Sequence, residues 1–405
     1  MLEGPKAVGK TATALQRART VYSLDEGAER SIAQADPSRL LEGERPVLID
    51  EWQRMPESFD RVRRAVDAGA RPGSFLLTGS ASPMQPPTHS GAGRIVPVRL
   101  RPMTLAERGV GNPTVSVGQL LEAAQAPVAG RTEVGLGDYV AEILASGFPG
   151  LRGLSVRLAR AQLDGYIDRI IDRDFEELGR KVRRAETLRR WMRAYAAATA
   201  TTASYEKIRD AATSGQSDKP SRATTQPYRE VLERLWILDP VPAWLPTSSR
   251  LTRLSAPPKH HLVDPALAAR LLDLDSEALL HPHRQPPSST VARVDREGTL
   301  LGALFESLVT LCVRAYAQAV EARTAHLRTW RGEREIDLIV QRGRKILAIE
   351  VKLGQTPEER DVRHLLWLRN ELGDRLADAI VVTTGPAAYR RSDGIAVVPA
   401  ALLGP

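Results

Sequence analysis

Residues 4–11 decide the fold, and they read Gly4-Pro5-Lys6-Ala7-Val8-Gly9-Lys10-Thr11. The pattern G-x-x-x-x-G-K-[ST] predicts a loop whose glycines let consecutive backbone N–H groups curl around phosphate oxygens. We therefore expect all eight residues at a nucleotide, with Lys10 reaching the β and γ phosphates and the Thr11 hydroxyl ligating Mg²⁺. Alanine and leucine at helical density follow, so the loop predicts a helix whose positive N-terminus faces the phosphates. The alternative is a Gly-Lys turn that matches the pattern by chance.

Residues 46–51 predict a buried strand that ends in two carboxylates, because a short apolar run leads directly into Asp50 and Glu51. Downstream of a phosphate loop, Asp50 would hold the Mg²⁺ through water and Glu51 would polarise the attacking water. A strand followed by an acidic turn is the alternative, and the loop upstream favours the catalytic interpretation.

A third strand is predicted over residues 74–80, which end in Thr78-Gly79-Ser80. These hydroxyl side chains lie where a γ-phosphate sensor would be expected, and Ser80 is the candidate. A simple Thr-Gly-Ser turn would have the same sequence, so both interpretations stay open.

These elements together resemble the AAA-type P-loop ATPases, in particular bacterial ATP-binding proteins that carry a C-terminal domain of unknown function. The resemblance implies ATP and Mg²⁺ as cofactors and an α/β P-loop NTPase (AAA-like) domain, which we assign to residues 1–110. In that family a Gly-Arg pair follows the sensor strand, so Arg94 is a candidate for binding the γ-phosphate, and a surface arginine is the equal alternative. Such folds begin with a full strand, whereas only three residues precede Gly4. We therefore expect a shortened central strand or a true start upstream.

The composition is that of a protein with several globular domains. Its 405 residues are too many for one ordinary core, and 42% are hydrophobic and 26% charged. A single cysteine excludes a disulfide framework and favours the cytoplasm. We find no signal peptide and no apolar run near the roughly 18 residues that a membrane span needs. The net charge of +8 permits DNA as a partner without establishing it.

The middle of the chain, residues 111–290, predicts a helical and winged-helix region. Its phrases Gly147-Phe148-Pro149 and 166–174 resemble the start of the second domain of the same family. Two helices, the second opening at residue 224, followed by short strands up to residue 244 predict a winged helix, a module that binds DNA in some proteins and packs against protein in others. The resemblance supports this assignment, and packing is the favoured role.

Two further features of the middle region concern charge and chain flexibility. Basic residues are concentrated between Arg180 and Arg193, where a solvated helix rim is favoured over a surface that tracks phosphates. Stretches rich in proline and glycine at 82–93, 240–258 and 281–289 predict linkers.

Residues 291–405 predict a second chemical site. An amphipathic helix from residue 300 carries Glu306, and two strands follow over 334–341 and 345–352. The period of two places Glu350 and Lys352 on one face. A two-residue loop between the strands sets Asp337 opposite Glu350, whereas a three-residue loop turns Asp337 away.

This arrangement resembles the PD-(D/E)XK nuclease superfamily and implies an α/β restriction-endonuclease-like domain. The resemblance implies that Asp337, Glu350 and Glu306 bind Mg²⁺ while Lys352 orients the water or stabilises the developing charge. The alternatives are an edge hairpin whose charges are solvated and an inactive binding module.

Three functions therefore stay open. The first is ATP hydrolysis that shifts the C-terminal module, and the second is a metal-dependent DNA nuclease that ATP regulates. The third is a non-enzymatic switch that binds nucleotide and a partner protein. A homo-oligomer is a further expectation, because ATPases of this type often receive the arginine from a neighbour.

Overall fold

The N-terminal residues form a five-stranded parallel sheet of order β2-β3-β4-β1-β5 in the computed structural model. The structure describes residues 1–79, 91–123, 126–180, 184–213, 220–244, 256–281, 298–329 and 332–405. The strands of this sheet are β1 Leu2–Glu3, β2 Thr20–Ser23, β3 Val47–Asp50, β4 Phe75–Thr78 and β5 Val98–Arg99. The predicted linkers lie mostly outside the described residues.

The strand β1 has only two residues, yet it lies inside the sheet, between β4 and β5, and pairs on both sides. Leu2 lies opposite Thr78 of β4 and Val98 of β5. Every residue of β3 is buried, as the apolar run predicts for a strand covered on both faces. Because all five strands are parallel, their carboxyl ends share one edge, and the ends of β1, β3 and β4 lie there.

Helices connect the strands and build the middle of the molecule. Those of the described residues, apart from single turns, are Lys10–Leu15, Gly27–Ala35, Glu57–Asp67, Val117–Glu122, Leu136–Ala145, Val156–Arg169, Ala185–Ala197, Tyr205–Ala211, Arg222–Arg234, Pro265–Leu271, Ser276–Leu280, Leu300–Ala319 and Glu359–Leu372. A π-helical stretch, Ile170–Asp174, continues the helix Val156–Arg169.

The predicted winged-helix region contains three helices followed by short antiparallel pairing. After the helix Arg222–Arg234, Leu238 pairs with Leu262 and Val241 pairs with Lys259. The winged-helix assignment stays a prediction.

The C-terminal residues form an eight-stranded mixed sheet of order β7-β13-β14-β12-β11-β10-β9-β8. Its long strands are β9 Arg323–Arg328, β10 Glu335–Arg342, β11 Lys345–Val351 and β12 Leu376–Thr383, and β13 Ala387–Arg390 and β14 Ala396–Pro399 extend one side. The helix Glu359–Leu372 makes the crossover between parallel β11 and β12. Three short strands, β6 Val115–Ser116, β7 Gly130–Arg131 and β8 Ala243–Trp244, come from the middle of the chain, and β6 pairs with β15 Leu403–Gly404.

The hairpin of β10 and β11 has the register that the two-residue loop predicts. Arg342 lies opposite Lys345, and the pairing continues to Leu338 opposite Ile349. Gly343 at the turn has φ +59°, a left-handed conformation in which glycine carries no steric cost. Asp337 and Glu350 are therefore the next opposed positions along the hairpin.

One apolar core joins the middle and C-terminal regions. It includes Trp191 of the helix Ala185–Ala197 and Phe305 of the helix Leu300–Ala319, and it reaches Leu403 at the chain end. Because residues on both sides of position 290 share this core, the segment 111–290 does not form a body separate from the C-terminal sheet. The limits assigned to the domains stay predictions.

The helix Leu300–Ala319 corrects the expectation that no apolar run approaches the length of a membrane span. Among the described residues this one helix is long and apolar enough, by length and composition, to cross a membrane. In this fold 67% of its most apolar segment is buried against protein. The helix therefore has the environment of a core helix.

Candidate functional site

The loop after β1 has a backbone shaped to surround an anion. Gly4, Ala7 and Gly9 have φ of +147°, +63° and +96°. Left-handed residues that alternate with right-handed ones are typical of the backbone concavities in which successive N–H groups bind an anion. Gly9 directly precedes the helix Lys10–Leu15, whose N-terminus adds its dipole. A Cβ at Gly4 would lie 2.3 Å from the carbonyl oxygen of Leu100, so this position accepts no side chain.

Two of the predicted loop contacts need correction. Pro5 has no backbone N–H to donate, and its carbonyl oxygen instead accepts a hydrogen bond from Lys10. The Lys6 side chain turns away from the loop and pairs with Asp174 at 2.6 Å and Glu177 at 2.9 Å. Lys6 can therefore contact a nucleotide through its backbone, while its ammonium pairs with acids of the neighbouring helical region.

Lys10 is buried, and its ammonium donates to the loop itself. Its Nζ lies 3.0 Å from the Gly4 carbonyl oxygen and 2.7 Å from that of Pro5. Burial lowers the pKa of Lys10 to about 8, and the nearby carboxylates of Glu51 and Asp50 oppose this shift. The Lys10 ammonium is thus desolvated, and among the described residues it has no direct hydrogen bond to a carboxylate. Phosphate oxygens can replace its two carbonyl acceptors when a nucleotide binds.

A threonine and an aspartate form the magnesium position. The Thr11 hydroxyl donates to Asp50 Oδ1 at 2.9 Å, and the Thr78 hydroxyl donates to the same oxygen. Hydroxyl and carboxylate oxygens are ligands that Mg²⁺ prefers, directly or through water. The residues present therefore fit the Mg²⁺ that accompanies a nucleotide. Thr78 joins the site because β4 is the neighbour of β3.

Glu51 follows Asp50 at the carboxyl end of β3, and its backbone is left-handed, with φ +54°. The Gln53 amide donates to the Glu51 carboxylate. Gly79 lies close by, since a Cβ there would come within 2.4 Å of the Gln53 side-chain oxygen. Ser80, the predicted sensor, lies outside the described residues.

Arg94 is not at the phosphate loop of its own chain, and this corrects the prediction. Its guanidinium pairs with Asp67 at 2.7 Å, at the end of the helix Glu57–Asp67. Arg94 precedes β5, which runs parallel to β1, so it lies at the amino ends of the strands. The phosphate loop follows the carboxyl end of β1, at the opposite edge.

The helical region after residue 145 covers the outer side of the phosphate loop. Besides the Lys6 pairs, the Tyr166 hydroxyl donates to the Lys6 carbonyl oxygen at 3.2 Å. Asp174 belongs to the π-helical stretch, an irregularity that often marks functional positions. Sequence reasoning missed this contact, because nothing in either segment indicates the other.

The predicted acids of the C-terminal region come together with Lys352. Asp337 Oδ2 accepts a hydrogen bond from the Val351 backbone N–H at 2.8 Å, and Lys352 Nζ lies 2.8 Å from Glu350 Oε1. Glu306 reaches the same place from the helix Leu300–Ala319. These side chains line a cleft of about 920 Å³.

A lysine that the sequence interpretation missed lies among these acids. Lys259 Nζ is 2.8 Å from Asp337 Oδ1, 2.9 Å from Glu306 Oε1 and 3.3 Å from Glu335 Oε1. No motif surrounds Lys259, and 78 residues separate it from Asp337. Only the folded chain places them together.

The C-terminal cluster does not fit the divalent metal that the resemblance implies. A cation bridging Glu306 and Asp337 would lie between their oxygens, and the Lys259 ammonium lies there. In the described part of the chain, no group of three His, Cys, Asp or Glu side chains is arranged to hold a metal ion. The metal roles predicted for Glu306, Asp337 and Glu350 are therefore not supported by the geometry.

The charges of the cluster depend on this ammonium. Burial opposes ionisation of Asp337, but Lys259 and Lys352 outweigh it and hold the pKa of Asp337 below its usual range. Burial and the charge of Asp337 raise the pKa of Glu306 and of Glu350 to about 8. Burial and the charge of Asp337 thus oppose ionisation of Glu306 and Glu350, whereas the two lysines favour ionised Asp337.

The basic segment from Arg180 to Arg193 is partly engaged within the molecule. Arg189 pairs with Asp168, and Arg193 donates to the carbonyl oxygen of Leu271 at 2.8 Å, at the end of the helix Pro265–Leu271. These contacts agree with the favoured interpretation of a helix rim. Residues 181–183 lie outside the described residues.

Comparisons with known proteins identify the parts of the chain. A family model described as "AAA domain" matches residues 1–108, and two models of domains of unknown function, DUF8612 and DUF4143, match residues 136–278 and 301–403. Two proteins described as uncharacterized, Rv2008c of Mycobacterium tuberculosis and Mb2031c of Mycobacterium bovis, are each 25% identical to it; each alignment covers 99% of this chain and 79% of the relative.

Among solved structures, the Walker-type ATPase PABY2304 of Pyrococcus abyssi aligns with a TM-score of 0.36 and 16% identity, over 67% of this chain and 89% of that one. The match of residues 1–108 coincides with the five-stranded sheet and its phosphate loop. The chain therefore carries an AAA-type P-loop ATPase domain at its N-terminus and a DUF4143 domain at its C-terminus.

Proposed function

We propose that the protein hydrolyses ATP with Mg²⁺ and that its nucleotide state shifts the helical and C-terminal regions. The observation that carries this proposal is the hydrogen bond from Thr11 to Asp50, beside the loop that presents Lys10. A loop that only binds an anion needs no such pair, whereas Mg²⁺ on a nucleotide needs both oxygens.

Each residue has a separate task in this reaction. Water attacks the γ-phosphorus of Mg²⁺-bound ATP in line, the bond from that phosphorus to the β–γ bridging oxygen breaks, and ADP and phosphate leave. The N–H groups of the loop hold the phosphate oxygens, and Lys10 leaves the carbonyls of Gly4 and Pro5 to neutralise charge on the β and γ phosphates. Glu51 orients a water and accepts its proton.

Two substitutions test this function. Lys10→Ala should abolish binding of labelled ATP, because the buried ammonium is lost. Glu51→Gln should retain binding but lower the rate of phosphate release by about 10²–10⁴-fold, the usual contribution of a general base. Glu57→Gln, at an exposed position of the same domain, is the matched control and should leave both unchanged. Equal ATP binding by the wild type and Lys10→Ala would exclude the proposal, whereas binding without turnover would favour a nucleotide-dependent switch.

The coupling part of the proposal is supported by contacts behind the loop. Lys6 joins the loop to Asp174 and Glu177, so a change in loop conformation on nucleotide binding reaches the helical region directly. We infer that this region moves relative to the N-terminal sheet between nucleotide states.

A DNA nuclease is the second function that the sequence leaves open; Asp337, Glu350 and Lys352 line one cleft, but Lys259 lies among the acids that would hold its metal. With Lys259 between the acids, we expect no Mg²⁺-dependent nicking of plasmid DNA by the wild type, with or without ATP. Nicking that disappears in both Asp337→Ala and Lys352→Ala would establish the nuclease.

A further inference from the structure

An ammonium occupies the centre of the C-terminal acidic cluster. Lys259 Nζ contacts three carboxylates, at 2.8 Å on Asp337, 2.9 Å on Glu306 and 3.3 Å on Glu335. The side chain of Lys259 is only 1% exposed, so its ammonium has little contact with solvent. Lysine is almost never this buried unless it is paired.

The backbone fixes this ammonium in the cluster. The N–H of Lys259 donates to the Val241 carbonyl oxygen at 2.9 Å, and the Val241 N–H donates to the Lys259 carbonyl oxygen at 2.8 Å. Lys259 thus lies in a segment whose backbone is hydrogen-bonded to that of Val241. Its side chain cannot leave the cluster without giving up its contacts with the three carboxylates.

A second observation concerns Glu350, the acid of the cluster that Lys259 does not contact. Glu350 is 8% exposed, and its Oε1 pairs with Lys352, whereas its Oε2 has no hydrogen-bond partner among the described residues. Unpartnered buried carboxylate oxygens are rare in proteins. In a site that held a divalent cation, Glu350 would share it with Asp337, the opposed residue of the hairpin.

We propose that the ammonium of Lys259 stands permanently in the place of a divalent cation, so that this cleft is a metal-free site held together by a lysine. The side chain neutralises Asp337 and bridges Glu306 and Glu335, as a metal would, but it offers no position for a water nucleophile. The inference concerns the C-terminal cleft alone and does not depend on ATP hydrolysis by residues 1–108.

Removing the ammonium should create a metal site. The full-length wild type, Lys259→Ala, and Lys259→Ala combined with Asp337→Asn are titrated with Mn²⁺ in the absence of nucleotide, and free Mn²⁺ is counted by electron paramagnetic resonance. We expect Lys259→Ala to bind one additional Mn²⁺ more tightly than the wild type by about tenfold or more, the scale on which neighbouring groups alter metal affinity. The double variant should lose this site, and the phosphate-loop carboxylate Asp50 is the same in all three proteins.

A charge-matched variant covers the case in which Lys259→Ala does not fold. Lys259→Met with Glu335→Gln removes one positive and one negative charge and keeps Glu306, Asp337 and Glu350. Mn²⁺ should raise the melting temperature of this variant and leave that of the wild type unchanged. Mn²⁺ binding by the wild type that disappears in Asp337→Asn would overturn the proposal, as would folded lysine variants that gain no Mn²⁺ site.

Discussion

At the scale of the residue, Lys10 determines how nucleotide binding depends on pH. Its pKa in the empty site is lowered from 10.5 to about 8, chiefly by burial. Unfolding restores the ordinary pKa, so the empty protein gains stability as pH rises from about 8 towards 10.5. Phosphate at Lys10 has the opposite effect and favours the charged form.

ATP binding should therefore take up a proton above about pH 8, and the affinity should fall by up to about tenfold per pH unit. Calorimetry at about pH 9 in two buffers of different ionisation enthalpy measures this uptake. Lys6→Met is the control, because hydrogen bonds to Asp174 and Glu177 outweigh burial and raise the pKa of Lys6. Identical apparent enthalpies in both buffers would contradict the assignment of Lys10.

Gly4 is the second residue with a specific consequence. Gly4→Ala would bring a Cβ to 2.3 Å from the Leu100 carbonyl oxygen at φ +147°, so the loop must distort. We expect at least about a tenfold loss of ATP affinity, measured by fluorescent nucleotide titration. Gly27→Ala has no atom within 4 Å of the added Cβ and should bind ATP as the wild type does. Unchanged binding by Gly4→Ala would show that the loop tolerates other conformations.

At the scale of the element, the strands follow from the sequence and the hairpin register is one of the two that the sequence leaves open, but their surroundings do not follow from it. Residues 46–51 and the pair at 334–341 and 345–352 have strong local signals, and the turn at Gly343 fixes the register. The prediction for Arg94 is wrong because sheet order and strand direction depend on pairing between distant segments, which the local sequence does not indicate. Lys259 could not be predicted, since only tertiary packing brings it to Asp337.

The contact of the loop with the π-helical stretch makes a prediction at this scale. Lys6→Ala should weaken the stretch Ile170–Asp174 by at most about 1 kcal/mol, because Lys6 is 38% exposed and water screens its pairs. Amide hydrogen exchange should show faster exchange in residues 170–177, and ATP should alter this exchange in the wild type but less in the variant. Exchange in this segment that responds equally to ATP in both proteins would contradict the coupling.

At the scale of the whole molecule, one buried aspartate joins three regions. Asp239 pairs with Arg99 of β5 at 2.9 Å, with Arg101 at 3.1 Å and with Arg314 of the helix Leu300–Ala319 at 2.8 Å. Burial opposes its charge, but these arginines hold the pKa of Asp239 well below its usual range. Leu100, whose carbonyl oxygen lies against Gly4, lies between Arg99 and Arg101 in the chain. The cluster of Asp239 and its arginines is therefore next to the phosphate loop.

Asp239→Asn should lower the free energy of unfolding by about 3–5 kcal/mol, because three arginines lose their buried partner. The stabilisation is present above about pH 4 and should be lost as pH falls further, since the folded state holds the lower pKa. Urea unfolding measures both effects, with the exposed Asp25→Asn as control. A loss no larger than that of the control would contradict the role of Asp239 as a buried junction.

The most direct test of the central claim is phosphate release from Mg²⁺-ATP by the wild type, Lys10→Ala and Glu51→Gln under identical conditions. We predict turnover by the wild type, no ATP binding by Lys10→Ala, and binding with strongly reduced turnover by Glu51→Gln. Phosphate release that survives in both variants at the wild-type rate would contradict catalysis at this site.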